Sequence, residues 1–186
     1  MKRFFDLLIS IILLILLALP LSFISVLIFF SSKGPSLYWS QRVGKQNLIF
    51  HMPKFRTMSP NAPEVATHLL ENPSKYYTPF GKFIRKYSID EIPQLYSIIK
   101  GDMSLVGPRP ALYNQADLIE LRTEAGVHKL VPGITGLAQV NGRDELSIHE
   151  KVDIDKSYME QQSFLFDLYI IWLTVLKVVK RDGISH

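Results

Sequence analysis

The sequence predicts an α+β fold, mainly helical, attached to a membrane. Three observations point there. An apolar run from Leu7 to Phe30 follows Lys2 and Arg3. An extended stretch from Leu37 to Thr57 is interrupted by Val43-Gly44-Lys45, which reads as a small β-hairpin. The remainder alternates helix-like segments with Gly- and Pro-rich loops. A length of 186 residues fits one domain with a moderate core. A composition of 47% hydrophobic and 20% charged residues excludes a disordered tail. The net charge of +4 suits an anionic membrane surface or a phosphorylated substrate, and it is too small to point to nucleic acid. No cysteine is present, which excludes disulfides, thiolate metal sites and cysteine nucleophiles. The histidines are scattered, and none forms a pair with metal-ligand spacing.

The apolar run resembles a signal peptide only at its start. It is long for that role, and Ser31-Ser32-Lys33-Gly34 is a poor cleavage site. As a straight helix, Leu7 to Phe30 would extend about 36 Å, enough to cross a bilayer. Pro20 sits near its middle, close to Ser22 and Ser25, and removes a helical hydrogen bond. Basic residues flank both ends: Lys2 and Arg3 before it, and Lys33, Arg42 and Lys45 after it. The positive-inside rule would place both ends in the cytoplasm. Two readings stay open from the residues alone. One is a helix that enters, breaks at Pro20 and returns; the other is a kinked transmembrane helix.

Beyond the hairpin, residues 59 to 79 carry four prolines and read as a surface loop, with a short helix over Glu64 to Glu71. Phe80 to Tyr87 interleaves Lys82, Arg85 and Lys86 with Phe83 and Ile84, a basic amphipathic helix suited to an acidic lipid surface or a solvated face. Helices are predicted over Ile89 to Ile99, Ala111 to Leu130 and Ile148 to Met159, and Val131 to Gly142 reads as irregular. Phe164 to Val179 is strongly apolar and would run about 24 Å, short for a span. It fits an interfacial helix, or one packed on the membrane segment, with a buried core helix as the alternative.

The chemistry-bearing residues cluster in the second half. Asp90 and Glu91 are adjacent carboxylates at a predicted helix start. Ser88 and Glu91 have the spacing of a capping box, which alone would account for the pair. However, Pro93 stiffens the following backbone, Arg109 lies in a rigid Gly107-Pro108-Arg109-Pro110 loop, and Arg143 closes the stretch from Pro132. Carboxylates beside arginines on stiff loops suit phosphate chemistry. Carboxylates hold Mg²⁺, and guanidinium forks grip phosphate oxygens.

These motifs in this order resemble the bacterial sugar transferase family, the small monotopic phosphoglycosyl transferases. The resemblance runs from Lys2-Arg3-Phe4-Phe5-Asp6 through Lys54-Phe55-Arg56-Thr57-Met58, Asp90-Glu91, Gly107 to Pro110 and Pro132 to Arg143, and ends at Lys180 to Ile184. It implies a catalytic form without the extra transmembrane region of larger relatives. It also implies a re-entrant membrane helix over residues 1–32 broken at Pro20, integrated with a catalytic domain over 33–186 on the cytoplasmic face of the bacterial inner membrane. The family's break is a Ser-Pro pair, whereas Leu19 precedes Pro20 here and Ser22 is the nearby hydroxyl.

The resemblance assigns the catalytic dyad to Asp90 and Glu91, both also Mg²⁺ ligands. Asp90 would attack a UDP-sugar and Glu91 would serve the metal or a proton. Arg109 and Arg143 match the family's phosphate-binding arginines. Lys54 and Arg56 are further phosphate-binding candidates, or else basic residues facing the membrane. Gln139 and Asn141 are candidate substrate contacts. The partners implied are a UDP-sugar, undecaprenyl phosphate and the bilayer, and no nucleic acid. Direct transfer without a covalent aspartyl species and a membrane-attached interaction module remain the alternative readings. No residue identifies the sugar.

Overall fold

The computed structural model describes residues 1–32, 34–63, 72–142 and 145–180. Helix α1 spans Lys2–Ser32, 31 residues, or about 46 Å at the helical rise. Among the described residues it is the helix long and apolar enough to cross a membrane. Pro20 lies inside the continuous helical run. Ser22 Oγ donates to the Ala18 carbonyl at 2.8 Å, a back-bond of the kind that bends helices.

One stripe of α1 faces the rest of the protein. Asp6, Ser10, Ile28 and Ser32 are buried, and Leu13, Leu14, Leu21 and Ile24 pack against the cores. The other faces expose Phe4, Ile15, Leu16, Leu19, Phe23 and Phe30. Near the N-terminus this inverts a soluble amphipathic helix, since carboxyl and hydroxyl groups turn inward and large apolar groups turn outward. That start is anchored by hydrogen bonds. Lys2 Nζ meets Asp167 Oδ2 at 2.5 Å and donates to the Val106 carbonyl at 3.0 Å. Arg3 donates to the Ile98 and Ile99 carbonyls at 2.6 and 3.1 Å, and Asp6 Oδ2 accepts from Ser104 Oγ at 2.8 Å. The far end is held too, through Ile28 against Phe55 and Ile84 and a 2.6 Å contact between the Ser25 and Ser36 hydroxyls.

Strands β1 (Leu37–Val43) and β2 (Ile49–Phe55) form the predicted hairpin, with Leu37 opposite Phe55 and Val43 opposite Ile49. The turn falls slightly later than predicted and uses Gln46 and Asn47 at positive φ. Because side chains alternate, Ser40 and Arg42 share one face of the hairpin with Lys54, Met52 and Phe50. Met52 and Phe50 are core residues, so this is the inward face.

Helix α2 (Gly81–Lys86) buries Ile84 and exposes Phe83. The predicted helix from Ile89 splits into a 3-10 turn, Ile89–Gln94, and α3, Leu95–Lys100. Pro93 supplies no N–H and limits the first part to the tighter turn. The helix predicted over Ala111 to Leu130 shortens to α4 (Ala116–Glu124) and a 3-10 turn, Val127–Lys129, with Gly126 between them at φ 77°. The stretch predicted as irregular holds β4 (Gly133–Thr135) and α5 (Leu137–Asn141). Strand β3 (Ser104–Val106) pairs in parallel with β4, an element the sequence did not predict. The two backbones approach so closely after β3 that a Cβ on Gly107 would meet the Val131 carbonyl, and one on Gly133 would meet the Gly107 nitrogen. Only glycine fits there.

Helices α6 (Ile148–Gln161) and α7 (Phe164–Lys180) lie where predicted. A reciprocal capping box of Ser147 and Glu150 starts α6. Helix α7 divides between its two predicted settings. Asp167 and Ile170 are buried, while Leu165, Tyr169, Trp172 and Val175 are exposed. The short helix predicted over Glu64 to Glu71 lies outside the described residues. The central core of Phe50, Met52, Leu95, Ile98 and Met103 joins hairpin, α3 and α1, and each such side chain contributes about 1.5–3 kcal/mol of burial.

Candidate functional site

The 3-10 turn carries the two carboxylates. Ser88 precedes it in the left-handed region at φ 52° and makes no side-chain cap bond, so the capping box expected from its spacing with Glu91 does not form. Glu91 turns instead to Arg109, whose Nη2 donates to Glu91 Oε1 at 2.6 Å. Asp90 is only 7% exposed. Its carboxyl is pushed up to about 6, first by burial and then by the adjacent Glu91 charge, with Lys54, Arg85 and Arg109 pulling it back.

Strand β2 packs on this turn, and the inward face of the hairpin brings the cations Lys54 and Arg42 beside it. Lys54 on β2 is held down to about 7, chiefly by burial and next by the Arg42 charge, while Asp90 and Glu91 oppose the shift. Arg42 on β1 is lowered to about 10 by burial and by Arg109. The result is a carboxylate pair, Asp90 buried and Glu91 partly so, surrounded by Lys54, Arg42, Arg85 and Arg109. Such an arrangement favours an anion that shares the cations, and an acidic pair left alone there would repel itself.

The sequence candidates sort as follows. Asp90, Glu91, Arg109 and Lys54 come together. Arg56 does not join them, since its guanidinium lies over Gly34 beside the end of α1, where a Cβ would strike it. Gln139 and Asn141 sit on α5 and bond within their own segment, to the Ile134 and Leu137 carbonyls at 3.4 and 2.8 Å. Arg143 lies outside the described residues. Sequence reading passed over Arg42 and Arg85 as a basic flank and an amphipathic face. The signal that finds Arg42 is hairpin register, which puts it on the face that carries Lys54. Gln94 was also missed; it is fully buried with a side-chain nitrogen lacking a partner among the described residues, so it is a spare donor on the same turn.

The carboxylate pair fits a divalent cation. Its oxygens are the hard donors that Mg²⁺ takes, and a cation would offset the Glu91 charge that adds to burial in raising Asp90. No cluster of three or more metal-ligating side chains occurs among the described residues.

The loop bearing Arg109 is held beside the turn by strand pairing. Gly107 N donates to the Thr135 carbonyl and Gly133 N to the Pro108 carbonyl, each at 2.9 Å. The two glycine-rich motifs of the sequence therefore lie side by side.

Comparison with known proteins agrees across the chain. A family profile described as bacterial sugar transferase matches residues 1–181. An uncharacterized sugar transferase, EpsL, of Bacillus subtilis is 40% identical over 188 residues, which cover 100% of this chain and 91% of the relative. An undecaprenyl-phosphate galactose phosphotransferase of Salmonella typhimurium is 37% identical over 98% of this chain. An undecaprenyl-phosphate glucose phosphotransferase of Komagataeibacter xylinus is 37% identical over 96% of it. The chain spans 41% and 36% of those last two proteins, and most of EpsL. The match by family profile and by these relatives, over almost every residue, makes this chain a member of the bacterial sugar transferase family.

Proposed function

We propose that this protein transfers a sugar 1-phosphate from a UDP-sugar to undecaprenyl phosphate at the cytoplasmic face of the bacterial inner membrane, an early membrane step of glycan synthesis. The observation that carries the reading is the buried Asp90 carboxyl beside Glu91, enclosed by Lys54, Arg42, Arg85 and Arg109. The names of the Salmonella and Komagataeibacter relatives support a sugar donor and this lipid acceptor.

In the proposed chemistry an Asp90 carboxylate oxygen attacks the β-phosphorus of the donor. The bond from that phosphorus to the oxygen bridging the two phosphates breaks, and UMP leaves. Asp90 then carries the phosphosugar, and a phosphate oxygen of the lipid carrier attacks the same phosphorus, releasing Asp90 and forming the diphosphate-linked sugar. Covalent catalysis of this kind divides one hard displacement into two easier ones. A carboxyl raised to about 6 is ionised at neutral pH yet more basic than a free carboxylate, which suits a nucleophile. Lys54, Arg42 and Arg109 would orient the diphosphate and offset the charge building on the departing UMP. Mg²⁺, held by Asp90 and Glu91, would supply further charge neutralisation on the diphosphate.

Helix α1 is read as membrane-embedded with both ends on one side and a bend at Pro20. Its Lys2–Asp6 start and its Ile28–Ser32 end both dock on the same domain, about 33 Å apart along a straight helix. A hydrocarbon core about 30 Å thick separates the two faces of a bilayer, and one polar domain cannot hold both ends across it. Domain residues 33–186 would then sit at the interface, where the carrier phosphate lies.

The test is UMP release from a panel of UDP-sugars with Mg²⁺ and undecaprenyl phosphate, for the wild type and Asp90→Ala. Carrier-dependent release that the variant loses is expected. Undiminished release by the variant would remove Asp90 as nucleophile and favour direct transfer, and no release from any donor would count against the transferase reading.

A further inference from the structure

The Gly107-Pro108-Arg109-Pro110 loop has an unusual holding pattern. Pro108 and Pro110 carry no N–H, so the loop cannot secure itself through donors at those positions. It is secured through its carbonyls instead, four in succession. Pro108 accepts from Gly133 N at 2.9 Å, and Ala111 accepts from Val43 N at 2.9 Å. Between them, the Pro110 carbonyl accepts from Arg42 Nη1 at 3.1 Å, and the Arg109 carbonyl accepts from Arg122 Nη1 at 2.7 Å.

Arg122 stands on α4 and is itself fixed by Asp155 on α6. Its Nε and Nη2 both donate to Asp155 Oδ2, at 3.0 and 2.6 Å. The side chains are 11% and 2% exposed. A buried ion pair adds little stability compared with apolar groups of the same size. Two apolar side chains could join α4 to α6 equally well. They could not place a donor on the Arg109 carbonyl, and a lysine would offer one nitrogen where the three contacts use three nitrogens of a planar fork.

The geometry points to Arg122, oriented by Asp155, as a positioning residue that sets the Arg109 backbone so that its guanidinium reaches Glu91. Arg122 touches no reacting atom in this scheme. The inference rests on the transferase reading for its effect on rate, and on geometry alone for its effect on the loop.

The experiment compares wild type, Arg122→Lys and Arg122→Met, as full-length protein in lipid nanodiscs. Two readouts are taken. The first is hydrogen exchange of the peptide spanning residues 104–112, with strand β2, residues 49–55, as internal control because the loop's bonds to the hairpin run through Arg42 and Val43 on β1. The Lys variant keeps a cation against Asp155, so it serves if the Met variant fails to fold. Faster exchange in 104–112 with residues 49–55 unchanged is expected. Unchanged exchange in 104–112, or an equal rise in both peptides, would overturn the proposal.

The second readout is UMP release in a double-mutant cycle with Arg109→Ala. Arg122→Lys should cost about 10- to 100-fold when Arg109 is present, the scale of a small misplacement at a reacting centre. It should cost less than about twofold when Arg109 is already gone, because two changes acting through one group are not additive. Equal losses in both backgrounds would show a general structural role and overturn the proposal. Absence of UMP release from the wild type with every donor would sink the transferase reading, and the exchange readout would then decide the loop clamp by itself.

Discussion

Replacing Asp90 by asparagine should make the protein more stable and inactive at once. Folding moves the Asp90 carboxyl from an ordinary 3.8 to about 6. Each unit of such a shift corresponds to about 1.4 kcal/mol. Between pH 4 and 6 the folded carboxyl binds a proton that the unfolded one has released. Wild-type stability from this group is therefore highest below pH 4, falls as pH rises through that window, and stays low above about 6. Asparagine has nearly the same shape and no titration. Its advantage should be absent below about pH 4 and reach about 1–3 kcal/mol above pH 6, the Lys54 interaction being already contained in the shift. For a chain of this length that is a rise in Tm of about 2–12 °C. Thermal unfolding of wild type and Asp90→Asn in nanodiscs at acid pH and at pH 8, beside UMP release, reads both effects. A variant destabilised equally at both pH values would refute the electrostatic account of the site. A variant that still transfers would refute the nucleophile assignment.

Other outcomes follow from the same geometry. Arg109→Ala should lower carrier-dependent UMP release about 100-fold, the usual scale for losing one charge-stabilising donor, and an unchanged rate would remove Arg109 from the site. Lys54→Met should move the acid limb of kcat/KM to higher pH, since the Lys54 charge opposes the rise of Asp90; a limb that stays in place would contradict the coupling. Tyr158 donates to Asp167 Oδ1 at 2.7 Å and lies 3.3 Å from the Val106 carbonyl. Tyr158→Phe should therefore cost about 1–3 kcal/mol in chemical denaturation by removing the donor to the buried Asp167 Oδ1, while Lys2 still serves the Val106 carbonyl. Gly107→Ala should fail to yield folded protein by circular dichroism, because its Cβ would meet backbone on the β4 side.

Long periodic elements were readable from the sequence, and short ones were not. Helices α6 and α7 and the hairpin carry several turns or alternations of pattern, so their existence follows from spacing. Strands β3 and β4 have three residues each, too few for any period to appear. Their pairing depends on two glycines letting distant backbones touch, which no local window contains. Ser88 and Glu91 have the spacing of a capping box, whereas the box that forms is Ser147 with Glu150. Spacing is the same in both, and the left-handed conformation of Ser88 decides between them.

The site was legible to the extent that its residues sit in compact motifs. Asp90, Glu91, Arg109 and Lys54 could be selected by residue type and motif order. Arg42 and Arg85 could not, because a cation near an apolar run looks the same whether it faces lipid headgroups or a buried carboxylate. Arg56 shows the converse: two residues beyond Lys54, it should share that residue's side of an extended strand, yet it turns to Gly34. From the sequence Lys2 and Arg3 read as charge at a membrane boundary, and Asp6 only as part of a family motif. In the fold Lys2 and Arg3 are also donors to interior carbonyls, and with Asp6 they tie the start of α1 to β3 and α3. That contact joins the membrane segment to the strand leading into the Arg109 loop.

The central claim is the covalent role of Asp90. Its most direct measurement is intact and peptide mass spectrometry of full-length protein given a competent UDP-sugar and Mg²⁺ without the lipid carrier. The account predicts a sugar-phosphate adduct on the peptide containing Asp90, absent in Asp90→Asn and discharged when undecaprenyl phosphate is added. Carrier-dependent turnover by the wild type with no adduct at any time, or an adduct on another residue, would contradict it.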